Sequence, residues 1–264
     1  MHQLNHRARG LCETLIDDSD TFGVAVRRLG GGTRIIDCGV EAAGGSEAGV
    51  RLAEICFAGL GTVDQVVPRI PPWPGIAVAT ADPIAACLAS QYAGWEIKGD
   101  DYFAMGSGPM RAAAGREELF DTIGHRESAT HVVGVLESGK LPPEVVCREI
   151  ADACSVKPTE LTLLVAPTSS QAGTVQIVAR SVETALHKLH ELGFELPRIE
   201  SGRGQAPLPP VAKDDLAAIG VTNDAILYGG EVVLEVHGDD ESLEQIGPQV
   251  PSSASADHVR PFAE

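Results

Sequence analysis

Basic side chains are few in this sequence: Lys and Arg total 20 against 37 Asp and Glu, for a formal net charge of −17. A body this acidic repels phosphate, which argues against general nucleic-acid binding and against docking on anionic membranes. Aromatics are also sparse at 4%, so the core must be built from Val, Ile, Leu and Ala. No apolar run approaches the roughly 20 residues needed to cross a bilayer. The N-terminal MHQLNHRARG is basic but lacks the apolar stretch and cleavage site of a secretory signal. The expectation is a soluble cytoplasmic protein.

Several chemistry-bearing patterns are missing. The six cysteines (Cys12, Cys38, Cys56, Cys87, Cys147 and Cys154) include no CxxC pair. In a chain this long and without a secretory signal they read as buried free thiols. The histidine pair His187 and His190 has no HExxH context, so no metal site is expected. There is no GxGxxG between strand and helix, and no GxSxG elbow. The segment GVLESGKL (134–141) meets all but the last position of the phosphate-loop pattern. Leu141 cannot hold Mg²⁺ and Pro142 has no N–H to offer, so it reads as a strand-to-helix turn.

What is present is a globular composition, 44% hydrophobic and 22% charged over 264 residues, enough for one large domain or two small ones. Periodicity predicts a helix over 3–19, a hairpin over 24–29 and 33–40 around three glycines, a helix over 47–58, and strands over 62–70 and 76–80. The Pro71-Pro72-Trp73-Pro74 cluster breaks the chain between those strands. Asp82-Pro83 opens a helix to about Tyr92, and the glycine-rich 94–115 reads as a loop feeding a short helix. Beyond it come a strand over 130–136, a helix over 143–154, a strand over 161–166, and one long helix over 171–192. A polar loop over 201–210, a short helix over 214–219, a strand over 232–237 and a helical turn over 242–246 complete the chain. The alternation of strands and helices in the second half predicts an α/β layer structure, with the boundary between two lobes, 1–123 and 124–264, expected around 116–128.

The long helix carries the most information. Its apolar stripe is Val175, Val178, Val182, Leu186 and Leu189, and the opposite face carries Gln176, Arg180, Glu183, His187 and His190. The residues alone allow two readings. One is a solvated face whose Arg180–Glu183 pair contributes about 0.2–0.5 kcal/mol. The other is an acid/base pair on rigid backbone. Four polar loops could supply binding groups or simple turns: 106–111, 167–173, 201–210 and 222–230.

Six segments in order, DPIAACLASQYAGW (82–95), YFAMGSGPMRA (102–112), APTSSQAGTVQIVARSVETALHKLHELGF (166–194), APLPPVAKDDLAAIG (206–220), TNDAILYGGEV (222–232) and PSSASADHVRPFAE (251–264), together resemble the methenyltetrahydromethanopterin cyclohydrolases. The wording is closer to the bacterial members. The resemblance implies a one-carbon hydrolase that interconverts a methenyl pterin and its N5-formyl form, with no metal and no other cofactor. It also implies an α/β fold whose two lobes form a pocket for the pterin between them, and a homo-oligomer, trimer or dimer. It puts the family's catalytic Arg and Glu on Arg180 and Glu183, with Glu183 activating water and Arg180 orienting it and lowering its pKa. Substrate contacts are then expected from Ser107, Arg111, Ser169, Thr222, Asn223 and Asp224, converging near Glu183. Some family members carry a lysine where this sequence has Tyr92. The family continues past the PFAE motif, so the sequence is expected to be incomplete or shortened.

Overall fold

The computed structural model describes residues 3–67 and 74–262. The end of the predicted strand over 62–70 and most of the 71–74 proline cluster lie outside the described residues. The elements form two sheets with helices packed around them, a mixed α/β fold as expected.

The larger sheet has six strands in the order β1 (Ala25–Arg28), β2 (Arg34–Asp37), β8 (Leu161–Ala166), β7 (Val132–Glu137), β6 (Tyr102–Ser107) and β5 (Trp95–Gly99). Strands β2, β8 and β7 run parallel, and the outer strands antiparallel. The period-2 pattern places two apolar layers. Val133, Val135, Leu164 and Ile36 face helices α1 (Leu4–Asp17) and α3 (Ser46–Cys56). Val132, Leu136, Leu163 and Ile35 face α6 (Glu144–Ala153). The smaller sheet is β10 (Glu231–Val236), β9 (Ile199–Pro207), β4 (Gly75–Thr80) and β3 (Gly61–Val66), all antiparallel. Each sheet takes strands from both sides of residue 123, so the sheets do not correspond to the segments 1–123 and 124–264.

Short helices α2 (Ser19–Phe22), α4 (Met110–Ala114), α5 (Leu119–Ile123) and α10 (Asp240–Ile246) fill the connections. Four corrections to the sequence reading bear on the site. The 94–115 stretch contains the β5–β6 hairpin before the short helix α4. The glycine-rich 201–207 is strand, not loop. A Cβ on Gly202 would lie 2.8 Å from Val182 Cγ1, and one on Gly204 2.6 Å from Ser181 Oγ, so these glycines serve a close helix-on-sheet approach. The predicted loop over 222–230 is the second half of a long helix, α9 (Asp215–Gly229), capped by Asp214. The predicted long helix is broken into α7 (Gln171–Val178) and α8 (Ser181–Glu191).

Candidate active site

The apolar stripe of α7 and α8 packs on the smaller sheet, with Val175, Val178, Val182 and Leu186 fully buried beside Val63, Ile76 and Val78. The opposite face, read from sequence as potentially solvated, is buried too. Gln176 is 0% exposed, Arg180 8% and Glu183 5%, which excludes a solvated ion pair. These residues meet the carboxyl ends of the parallel strands, where loops of an open α/β sheet gather ligands. Ser170 starts α7 there, its hydroxyl accepting from Gly173 N at 3.0 Å. At the end of β2, buried Asp37 accepts from the backbone N–H groups of Gly39, Val40, Glu41 and Ala42 at 2.7–3.0 Å. Burial pushes the Asp37 carboxyl up, but those four donors outweigh it and hold it below the usual range.

The break at Ala179–Arg180 has neither Gly nor Pro to announce it. It is held from outside: Gln91 Nε2 donates to the Ala179 carbonyl at 3.1 Å. Gln91 closes a π-helical segment, Ile84–Gln91, where the sequence predicted an ordinary helix. Such wider turns re-aim side chains and recur at functional sites. At the break, Arg180 turns towards β7. Its Nη2 donates to Glu137 Oε1 at the end of that strand, and to Gln176 Oε1 at 3.0 Å. Burial opposes the Arg180 charge, but Glu137, together with Cys56 and Glu183, more than compensates and holds the guanidinium's pKa above its usual value. Three polar atoms around the break, Arg180 Nε, Gln176 Nε2 and Gln91 Oε1, are buried without a hydrogen-bond partner.

Arg180 and Glu183 therefore share a site without forming an ion pair. Among the described residues, no group donates a hydrogen bond to the Glu183 carboxylate. The expected downward shift of its pKa is overturned. Burial pushes the carboxyl from 4.5 up to about 7, against the opposing pull of Arg180 and Arg111, and Glu137 adds to the rise.

Arg111 is fully buried, and its donors are committed within the protein. Nε and Nη2 grip Glu117 at 2.8 and 2.5 Å, and Nη1 donates to the Leu88 carbonyl at 2.8 Å. It thus stands behind the site as a fixed charge, with Tyr92 stacked 4.9 Å from its guanidinium. The other stacking partner of Tyr92 is His187, at 4.8 Å between ring centres. Burial first, then the nearby Glu183 charge, raises the Tyr92 phenol, and burial lowers His187.

The remaining expected contacts are placed differently. Ser107 is buried with its hydroxyl 3.6 Å from Cys56 Sγ, and that sulfur lies 4.0 Å from Gln176 Oε1, so Ser107 adjoins the cluster through Cys56. Ser169 binds Asp215 Oδ1 through both N and Oγ. Thr222 and Asn223 bond back to the carbonyls of Ala218 and Ile219 one turn earlier, as mid-helix side chains do. Asp224 accepts from Phe262 N at 2.9 Å. No hydrogen bond or ion pair between described residues links these four to Glu183. Glu137, Gln176 and Gln91 take part although sequence reasoning did not single them out as site residues. The usable signal was an acidic residue at the carboxyl end of a buried strand.

All six cysteines are free and buried, and burial holds the Cys56 thiol up at about 11 and Cys147 and Cys154 at about 12, which leaves no thiolate nucleophile near neutrality. Among the described residues, no three His, Cys, Asp or Glu side chains group closely enough to hold a metal. Lys140 of the phosphate-loop-like segment pairs at the surface with Asp101, and α6 follows Pro143, as the turn reading expected. No helix among the described residues is long and apolar enough to cross a membrane.

A buried carboxyl pushed up to about 7, beside a buried guanidinium at the carboxyl edge of a parallel sheet, is an arrangement chemically suited to proton transfer. The chain belongs to the cyclohydrolase (MCH) family, whose model matches residues 3–264. A methenyltetrahydromethanopterin cyclohydrolase of Xanthobacter autotrophicus is 51% identical over 257 residues, covering 96% of this chain and 76% of the relative. The one from Methylobacterium organophilum is 48% identical, covering 99% and 82%. The archaeal relative from Methanosarcina barkeri, of the same name, is 43% identical, covering 99% and 83%.

Proposed function

We propose that this chain hydrolyses 5,10-methenyltetrahydromethanopterin to the 5-formyl form, with Glu183 as general base. The observation that carries the mechanism is the burial of the Glu183 carboxylate beside Arg180 with no hydrogen-bond donor to it among the described residues, which pushes its carboxyl up to about 7. The substrate's methenyl carbon lies between two nitrogens and shares their positive charge. A water oxygen bonds to that carbon while its proton passes to Glu183, and the ionised carboxylate also stabilises the cation it faces. In the neutral adduct, the hydroxyl then loses its proton as one C–N bond breaks. The electron pair leaves on that nitrogen, which takes up a proton, and the formyl group stays on N5. One water is consumed and one proton released.

In this reading Arg180 supplies oriented positive charge, Arg111 a fixed one behind it, and Ser107 part of the wall. Ser169, Thr222, Asn223 and Asp224 are assigned to the part of the substrate away from the reacting carbon. The exposed Leu216, Ile219 and Tyr228 on α9 support a homo-oligomer, which sedimentation would read directly.

Methenyl pterins absorb in the near ultraviolet and their formyl products do not. Loss of that absorbance with methenyltetrahydromethanopterin, and not with methenyltetrahydrofolate, is the expected result. Loss with the folate alone would reassign the carrier, and binding without absorbance loss would remove the catalytic claim.

A further inference from the structure

Arg180 lies three residues from Glu183 on adjoining helical backbone, a spacing at which such side chains ordinarily meet. Here they do not. Both acceptors that hold the guanidinium, Glu137 Oε1 and Gln176 Oε1, fall on one nitrogen, Nη2, and Nε is left without a partner. Glu137 comes from a different layer of the fold, the last residue of β7, where it pairs with Met105 of β6 on one side and Ala166 of β8 on the other. Its side chain is 10% exposed and that of Arg180 9%, so the pair is shielded from water. A buried pair of this kind adds little net stability for its desolvation, but it fixes geometry.

We infer that Glu137 is a positioning residue: by holding the Nη2 edge of Arg180 at the end of β7, it keeps the guanidinium from closing onto Glu183 and so keeps that carboxylate free to act as a base. The inference rests on the proposed role of Glu183. It accounts for two features together: the outward turn of Arg180, and a Glu183 carboxylate that receives no hydrogen bond among the described residues. The charged and titratable groups facing Glu183 are Arg180 at the break, Arg111 of α4, Glu137 of β7, Tyr92 and Cys87 from the π-helical side, and His187 one turn along α8. Of these, Glu137 is the acid whose removal both deletes a like charge and releases the nearest cation. Both consequences favour ionised Glu183, and a carboxylate that ionises more easily is a weaker base.

The test is the pH profile of kcat/KM for the wild type, Glu137→Asp and Glu137→Gln, with circular dichroism and melting recorded for each. The acid limb should move to lower pH in the order wild type, Asp, Gln, by one unit or more in the Gln variant, and the plateau should fall about tenfold there. If the Gln variant does not fold, the Asp variant decides, its withdrawn charge moving the limb the same way by less. A limb that stays in place, or moves up, in a folded variant overturns the inference. A purely structural role would lower the amount of active protein without moving the limb. Glu183→Gln, assayed alongside, separates the two claims. If it is inactive while the Glu137 variants keep the wild-type profile, the positioning role falls and the base stands. If it retains turnover, both fall.

Discussion

Arg180 binds Glu137 across 43 residues of chain, not Glu183 three residues away. The acid nearest in sequence is left buried without a hydrogen-bond donor among the described residues, and the acid at the end of a neighbouring strand takes the cation. Burial thereby wins over charge attraction at Glu183, and its carboxyl sits at about 7 instead of falling.

The acid limb of kcat/KM for the free enzyme is expected near pH 7, well above the ordinary glutamate range. Activity should fall tenfold per pH unit below it. A limb near pH 4 would show that Glu183 is not the group whose ionisation the reaction requires.

Glu183→Gln should separate activity from stability. Loss of general-base assistance is worth about 10²–10⁴-fold in kcat. The folded carboxyl titrates above its ordinary 4.5, so the protein loses stability as pH rises from there through about 7. The penalty is on the order of 3 kcal/mol once the group is ionised. The amide carries no such penalty. The variant is expected to melt higher than wild type above pH 7 and about equally at pH 4, which thermal scans at the two pH values would read.

Asp37 has the opposite sign. Its folded carboxyl is held low, so it stabilises the protein above its ordinary 3.8, and that contribution is lost as pH falls through the lower folded value. Asp37→Ala removes the acceptor for four backbone N–H groups and should cost at least about 1–3 kcal/mol near neutrality. Urea denaturation at pH 7 measures it, and an unchanged midpoint would mean the 38–45 loop is held by other contacts.

Gly49 lies where α3 crosses α7. A Cβ there would sit 2.6 Å from Val175 Cβ and 2.8 Å from the Ala172 carbonyl. Gly49→Ala should therefore destabilise by about 1–3 kcal/mol despite the better helix propensity of alanine. A rise in melting temperature would show that the two helices can separate without cost.

The sequence by itself determined the local elements whose pattern is periodic: the β1–β2 hairpin around its glycines, the buried strand Leu161–Ala166, the helix after Pro143 and the apolar stripe from Val175 to Leu189. It also singled out Arg180 and Glu183, through six collinear motifs. Hydrophobic spacing and turn chemistry are local properties, so they survive translation from sequence to backbone. The tertiary structure decided what depends on partners distant in the chain. Gly202 and Gly204, which locally signal a loop, become strand because α8 lies against them. The helix breaks at Ala179 because Gln91 takes its carbonyl. Thr222 and Asn223 stay helical because α9 packs on α7 and β9, overriding their weak propensity. The direction of the Glu183 shift belongs to the same class. Sequence places a cation three residues away, but only the packed fold shows that this cation is claimed by Glu137 and that Glu183 is buried, and desolvation, which no spacing encodes, sets the result.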